Sequence, residues 1–181
     1  MQSALIFLFK TLAELYLLTF LLRFLMQWAR ASHYNPLSQF VFKVTNPLVV
    51  PARRVLPSLA GLDTPTLVVL FILEFAVTFA LLRLVGIPLP IPETLLYSVL
   101  RLVALAIWFY TVALFIYVIL SWFGDRGRNP MTSLLGELVE PLLRPARRLL
   151  PPIGGLDLSP LIVILLLQAA MIALPLPIYL R

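Results

Sequence analysis

The sequence predicts an all-α membrane protein: four transmembrane helices as two parallel tandem repeats, each with an interfacial amphipathic helix in its cytoplasmic connection. Three observations carry this. Apolar residues make up 61% of the 181 positions and charged residues only 12%, and mean hydropathy is +1.01, whereas a soluble domain carries about 25% charged residues. Four apolar stretches approach the ~20 residues that a bilayer core requires. Finally, TNPLVVPARRVLPSLAGLD at 45–63 returns 94 residues later as VEPLLRPARRLLPPIGGLD at 139–157.

The four spans are expected at about 5–28, 65–85, 100–123 and 160–180. Ala29-Arg30-Ala31 mimics a signal-cleavage site, but no basic residue precedes Phe9, and Lys10 and Glu14 interrupt the apolar core. A cleavable signal has a basic start and a clean core, so the first span is expected to be retained.

Shifted by 94, the chain shows 14 identities over the 36 gapless positions from Trp28 to Asp63. The pairs include Trp28 and Trp122, Asn35-Pro36 and Asn129-Pro130, and Pro51-Ala52-Arg53-Arg54 and Pro145-Ala146-Arg147-Arg148. Gly61-Leu62-Asp63 likewise meets Gly155-Leu156-Asp157. Two repeats follow, 1–88 and 93–181. Each holds two spans, so the copies enter the membrane from the same side. Nine basic residues fall in the repeated connections: Arg30, Lys43, Arg53 and Arg54, then Arg126, Arg128, Arg144, Arg147 and Arg148. The positive-inside rule puts these connections in the cytoplasm and both termini outside.

Asparagine is a preferred N-cap and proline suits the first helical position, so helices are expected to start at Pro36 and Pro130. The interfacial segments run 36–57 and 130–151. Their apolar faces are Leu37, Phe40, Val41, Val44 and Leu48, and Met131, Leu134, Leu135, Leu138 and Leu142. Such helices would lie in the interface with the apolar side down. Pro47 and Pro51 are expected to break the first, because an internal proline loses a hydrogen bond and clashes with the preceding turn. Gly61 and Gly155 turn the chain, Asp63 and Asp157 help begin the next helices, and Trp28 and Trp122 mark the bilayer boundary. At headgroup depth, Arg53, Arg54, Arg147 and Arg148, with Lys43 and Arg144, are candidates for holding lipid phosphates or an acidic partner.

Within the spans, Glu74 sits near mid-bilayer, with Gln168 at similar depth in the last span. Lys10 and Glu14 form an i,i+4 pair. Arg23 is expected to snorkel or to pair with Glu74. A buried carboxylate is a functional suspect, here weighed against a glutamate that only holds helices together.

With zero cysteines, disulfides and thiolate chemistry are excluded. The single histidine, His33, and the absence of metal-ligand spacing, nucleophile–base sets and glycine-rich phosphate loops point away from an enzyme, and no cofactor is expected.

The doubled order of span, Trp, Asn-Pro, Pro-x-Arg-Arg, Pro, Gly-x-Asp and capped span resembles the YggT family of small integral membrane proteins. The best parts are QWARASHYNPLSQFVFKVTNPLVVPARRVLP and NPMTSLLGELVEPLLRPARRLLPPIGGLDLSP. The two-copy form is similar to that of Gram-negative bacteria, which implies an inner-membrane location. The resemblance further implies links to osmotic stress tolerance, potassium uptake, division and envelope organisation, or cytochrome-complex assembly, and no catalytic residue. The expected function is a membrane organiser or adaptor whose basic face binds anionic lipid or a partner protein, without nucleic acid and with homo-oligomers open. The alternative is an oligomeric, potassium-linked ion transporter or channel component using Glu74.

Overall fold

The computed structural model describes residues 2–59, 61–122, 129–149, 157–177 and 180. These form six helices: α1 (Gln2–Trp28), α2 (Pro36–Val55), α3 (Thr64–Val85), α4 (Ile91–Trp122), α5 (Pro130–Leu149) and α6 (Ser159–Ala173). Among the described residues there is no strand beyond an isolated bridge between Leu59 and Leu62. The helix order α1–α2–α3 is repeated as α4–α5–α6.

Helices α1, α3 and α4 are long and apolar enough to cross a membrane. The expected fourth span is shorter than the sequence suggests. α6 has 15 residues, about 22 Å at 1.5 Å per residue, short of the ~30 Å hydrocarbon core. It stops where Leu174 precedes Pro175, because proline disfavours a helical residue before it and cannot donate to the ladder. Leu174, Pro175, Leu176 and Pro177 follow outside the α-helix. The third span errs the other way: α4 begins at Ile91, nine residues before the expected 100. Thr94 N–H donates to the Pro90 carbonyl at 3.0 Å, closing the first turn. The buried Thr94 and Ser98 hydroxyls return to the carbonyls four residues back, so neither polar group argues against a helix there.

Both Asn-Pro helix starts form as expected. Asn35 Oδ1 accepts from Leu37 N–H, and Asn129 Oδ1 from Met131 N–H, each at 2.9 Å. The expected proline breaks do not occur. α2 runs through Pro47 and Pro51, and α5 through Pro141 and Pro145. In each helix the prolines are four residues apart, so the missing N–H groups fall on one side and the remaining ladder bonds carry the helix across. The last part of the second interfacial segment, 150–151, lies outside the described residues.

Helix ends at α1 and α3 share one closure. Gly86 N–H donates to the Arg83 carbonyl and Ile87 N–H to that of Leu82, with Gly86 left-handed at φ 79°. At α1, Arg30 N–H reaches Gln27 and Ala31 N–H reaches Met26, which forces Arg30 to φ 54°. Glycine takes this conformation freely, whereas a side chain costs about 1 kcal/mol.

The chain divides into two compact units that cut across the sequence repeats. The first comprises Met1–Phe24, Val41–Leu105 and Leu174–Arg181; the second comprises Leu25–Phe40 and Ala106–Ala173. In the first, Leu82, Leu176 and Leu180 form a buried cluster with Leu89, Tyr97 and Leu100 packed on it. In the second, α5 packs on α6, and Leu135, Leu138, Val139 and Leu143 are buried. A Cβ added at Gly136 would meet the Tyr117 ring at 3.7 Å. Ser32 N–H also donates to Glu137 Oε2, and Asn35 Nδ2 to the Pro130 carbonyl.

Equivalent apolar positions have different environments in the two copies. Phe40 on α2 is 61% exposed, while Leu134, 94 residues on, is 6% exposed. The predicted apolar face is therefore largely outward on α2 and largely internal on α5. Leu134→Ala should lower stability in detergent by about 2–5 kcal/mol, whereas Phe40→Ala should leave the melting temperature almost unchanged. Thermal unfolding of the two variants beside the parent checks this, and equal losses would contradict the assignment of faces. Gly86→Ala should cost about 1 kcal/mol in the same assay.

Candidate functional site

The doubled Pro-Ala-Arg-Arg segment is built around a carboxylate ten residues downstream of its first arginine. In copy one, the end of α2 and the start of α3 are joined by the turn at 56–63. Gly61 adopts φ 78° there, and Thr64 Oγ1 donates to the Pro57 carbonyl. The turn returns Asp63 to α2, where Arg53 Nη2 donates to Asp63 Oδ2 at 2.8 Å. Asp63 precedes α3 as its N-cap residue, yet its side chain makes no capping bond to the backbone. Its Oδ2 instead accepts from Thr66 Oγ1 at 2.6 Å.

The same carboxylate faces a second arginine. Arg23 of α1 is buried, with Nε 3.7 Å from Asp63 Oδ2. Its Nη1 donates to Thr45 Oγ1 at 2.7 Å and to Asn46 Oδ1 at 2.8 Å. Its guanidinium lies 5.2 Å from the Phe42 ring centroid, a cation–π distance. Arg23 therefore neither snorkels nor pairs with Glu74. It ties α1 to α2 and to the entrance of α3, and Asp63, only 1% exposed, neutralises it in a setting where an unpaired charge is costly.

Copy two keeps the ten-residue spacing with different neighbours. Arg147 Nε donates to Asp157 Oδ2 at 2.9 Å, and Nη1 to Glu140 Oε2 at 2.8 Å. Tyr117 stands at the position equivalent to Arg23, and Glu140 at that of Asn46. Asp157 also accepts from Ser159 N–H at 3.0 Å, helping to begin α6 as expected. Gly155, the expected turn residue, lies outside the described residues. Burial alone would push the Asp157 carboxyl up, but its bonds to Arg147 and Ser159 hold it below the ordinary aspartate range. Burial likewise works against the Arg147 charge, and Asp157, Tyr117 and Glu140 outweigh it, raising its pKa further.

The remaining basic candidates point outward. Arg54 and Arg148, adjacent to the paired arginines, are exposed, as is Lys43. Among the described residues, neither Arg54 nor Arg148 has an ion pair. Arg144 is mostly exposed, with Nε 3.7 Å from Glu140 Oε1. Trp28 and Trp122 are the last residues of α1 and α4.

A second charged cluster lies in mid-span. Arg101 of α4 directs Nε to Glu74 Oε1 of α3 and Nη2 to Glu14 Oε1 of α1, both at 3.0 Å. Thr78 Oγ1 donates to Glu74 Oε1 at 2.9 Å, and Lys10 Nζ stands 3.9 Å from Glu14. Gln168 is exposed and donates to Thr111 Oγ1 at 3.3 Å. Sequence reasoning did not identify Arg101 as the partner of Glu74, or Thr45, Asn46 and Tyr117 as parts of the arginine sites. The one available signal was the equal spacing of Arg53 from Asp63 and Arg147 from Asp157. Among the described residues, no group of three or more His, Cys, Asp or Glu side chains is placed to hold a metal.

The two clasps differ in burial, and substitutions should separate them. Asp63→Asn leaves Arg23 buried without its counter-charge and should cost about 3–5 kcal/mol. Asp157→Asn acts at a solvent-screened pair and should cost under about 1 kcal/mol. Because the Asp157 pKa is depressed by folding, its contribution is present at neutral pH and lost as pH falls through that depressed value. The stability gap between the parent and Asp157→Asn should therefore close in acid, as measured by unfolding across a pH series.

Comparison with known proteins places these features in a family. The CCB3/YggT family model matches residues 2–84 and again 96–178. YggT of Escherichia coli, itself an uncharacterized protein, is 43% identical over 166 residues, covering 92% of this chain and 86% of the relative. An uncharacterized protein of Pseudomonas aeruginosa is 39% identical over 170 residues, covering 93% and 86%. One of Vibrio alginolyticus is 37% identical over 172 residues, covering 93% and 92%. No solved structure matches. With two successive matches to one family model and relatives of this identity along nearly its whole length, the chain belongs to the CCB3/YggT family and carries the family unit twice.

Proposed function

We propose that the protein is a non-enzymatic membrane organiser or adaptor whose basic face binds anionic lipid or a protein partner. In this reading it lies in the bacterial inner membrane, with both termini periplasmic and the repeated basic connections cytoplasmic. α6 and the apolar chain after it complete the fourth crossing. α2 lies along the interface, its exposed Leu37, Phe40 and Leu48 turned to lipid.

The observation that carries the proposal is the division of labour within each arginine pair. Arg53 and Arg147 are held by Asp63 and Asp157. Arg54 and Arg148 stand exposed in the last turn of their helices. An exposed guanidinium at headgroup depth can hold a phosphate through two parallel N–H groups. Lys43 and Arg144 extend the same basic surface. The clasped arginine fixes the end of the helix, and the free one is presented by it.

Replacing Arg54 and Arg148 together by Gln should remove about 2 kcal/mol of attraction to an anionic surface, roughly thirtyfold in affinity. Binding of short-chain phosphatidylglycerol to the detergent-solubilised chain measures this. Arg53→Gln with Arg147→Gln should instead lower thermal stability more than it lowers lipid affinity. If the Arg54 and Arg148 variant binds the lipid as tightly as the parent, the lipid-binding role is wrong.

A further inference from the structure

The last helix of the second repeat carries a polar side chain on its apolar outer face. Gln168 lies nine residues into α6, about 13 Å at 1.5 Å per residue, and is exposed. Its Nε2 donates to Thr111 Oγ1 of α4 at 3.3 Å. Thr111 directs its one proton to the Ile107 carbonyl at 2.9 Å, so its oxygen can only accept, and the Gln168 amide must turn its nitrogen toward it. A carboxamide has two N–H donors and one carbonyl acceptor. The second N–H and Oε1 are left without a partner among the described residues.

With α6 as the proposed fourth crossing, on which this inference rests, that amide stands in hydrocarbon, where neither water nor a lipid tail can satisfy it. Its neighbours along the helix are Leu161, Leu165 and Ile172, each more than half exposed. Together the four residues run at 4-3-4 spacing, the seam of a paired helix, in which one polar residue sets the register and the number of strands. On α4, one turn before Thr111, Trp108 is 51% exposed near the middle of its helix, whereas a membrane tryptophan ordinarily sits at an end. Copy one has no counterpart of this patch. Leu17 and, past a one-residue insertion, Leu73 stand at the positions equivalent to Thr111 and Gln168.

We propose that this face of α6 pairs with the same face of a second copy of the chain, across a two-fold axis beside Gln168. The amide selects that partner. One spare donor next to one spare acceptor is self-complementary, so two facing amides exchange two N–H···O bonds while each keeps its bond to Thr111. Hydrogen bonds of this kind hold spans together in membranes. Symmetry brings the two amides to one place. Two copies inserted with the same orientation are related by an axis along the membrane normal, so the paired α6 helices are parallel and Gln168 meets its own counterpart at equal depth. The apolar seam residues then pack on their own equivalents above and below the polar pair.

The chain has no cysteine, so single cysteines report the interface by disulfide cross-linking of the full chain reconstituted in liposomes. Leu165→Cys and Ile172→Cys, on the Gln168 side, should each yield a product of twice the 20.4 kDa chain mass. Leu166→Cys should not, although Leu166 is 65% exposed, because it lies about 160° round the helix from Gln168. Adding Gln168→Leu to Leu165→Cys should weaken self-association about tenfold, read from the protein density in the bilayer at which half the chains cross-link. The same substitution should leave the melting temperature in detergent almost unchanged, since leucine suits a lipid-facing position. Cross-linking at Leu166→Cys equal to that at Leu165→Cys, or undiminished by Gln168→Leu, overturns the proposal. A membrane-impermeant maleimide separates it from the crossing beneath it. Rapid alkylation of Leu165→Cys from water overturns both, whereas a protected Leu165→Cys that never cross-links leaves the crossing intact and overturns the pairing, with lipid or another protein covering the face.

Discussion

The structure depends on one constraint: a charge removed from water must meet its opposite on a neighbouring element. Asp63 meets this constraint for copy one. It receives Arg53 from α2 and faces Arg23 from α1 while standing at the entrance of α3. Three helices of an apolar chain, otherwise held by contacts that lipid could also supply, are thereby given a fixed rotation and register. The hydrophobic effect selects the helices but distinguishes little between one apolar face and another in hydrocarbon. The ion pairs supply that distinction.

The copies have diverged by exchanging the neighbours of the clasp while keeping the clasp. Where copy one has the buried cation Arg23, copy two has Tyr117, and where copy one has Asn46, copy two has the anion Glu140 beside Arg147. The second carboxylate suits a more open site, where Arg147 and Asp157 are each about one-third exposed and solvent shares the cost of charge. Copy one retains the deeper and drier arrangement. It also holds Glu14 and Glu74, which meet Arg101 from the first helix of copy two. Copy two has no sequence counterpart of that cluster, since Trp108 and Ala169 stand at the positions equivalent to Glu14 and Glu74.

What could be read from the sequence was local. Asn35-Pro36 and Asn129-Pro130 fixed two helix starts because capping involves neighbouring residues. The 94-residue repeat and the three long spans were likewise visible, and the family model matches both copies. Hydropathy misplaced the ends of α4 and α6, since it records apolar content while Pro90, Pro175 and Pro177 decide where a backbone can be helical. The proline rule then overreached at Pro47 and Pro51, where one side of the helix gives up hydrogen bonds and the rest persists. Partner choice across helices was not legible. Arg23 stands as plausibly beside Glu74 as beside Asp63 until the rotation of α1 is known.

Helix geometry also accounts for the paired arginines. Successive residues on an α-helix point about 100° apart, so one carboxylate cannot receive both at close range without distorting the last turn. Gly61 lets the chain double back in copy one and sets Asp63 opposite Arg53, leaving Arg54 turned away. In copy two Asp157 selects Arg147 and leaves Arg148 exposed. A single arginine would satisfy the clasp, and a single arginine placed elsewhere would satisfy the positive-inside rule. Adjacency adds a second cation whose position is fixed by the clasped one, and the fixed spacing to the aspartate keeps those two roles from exchanging.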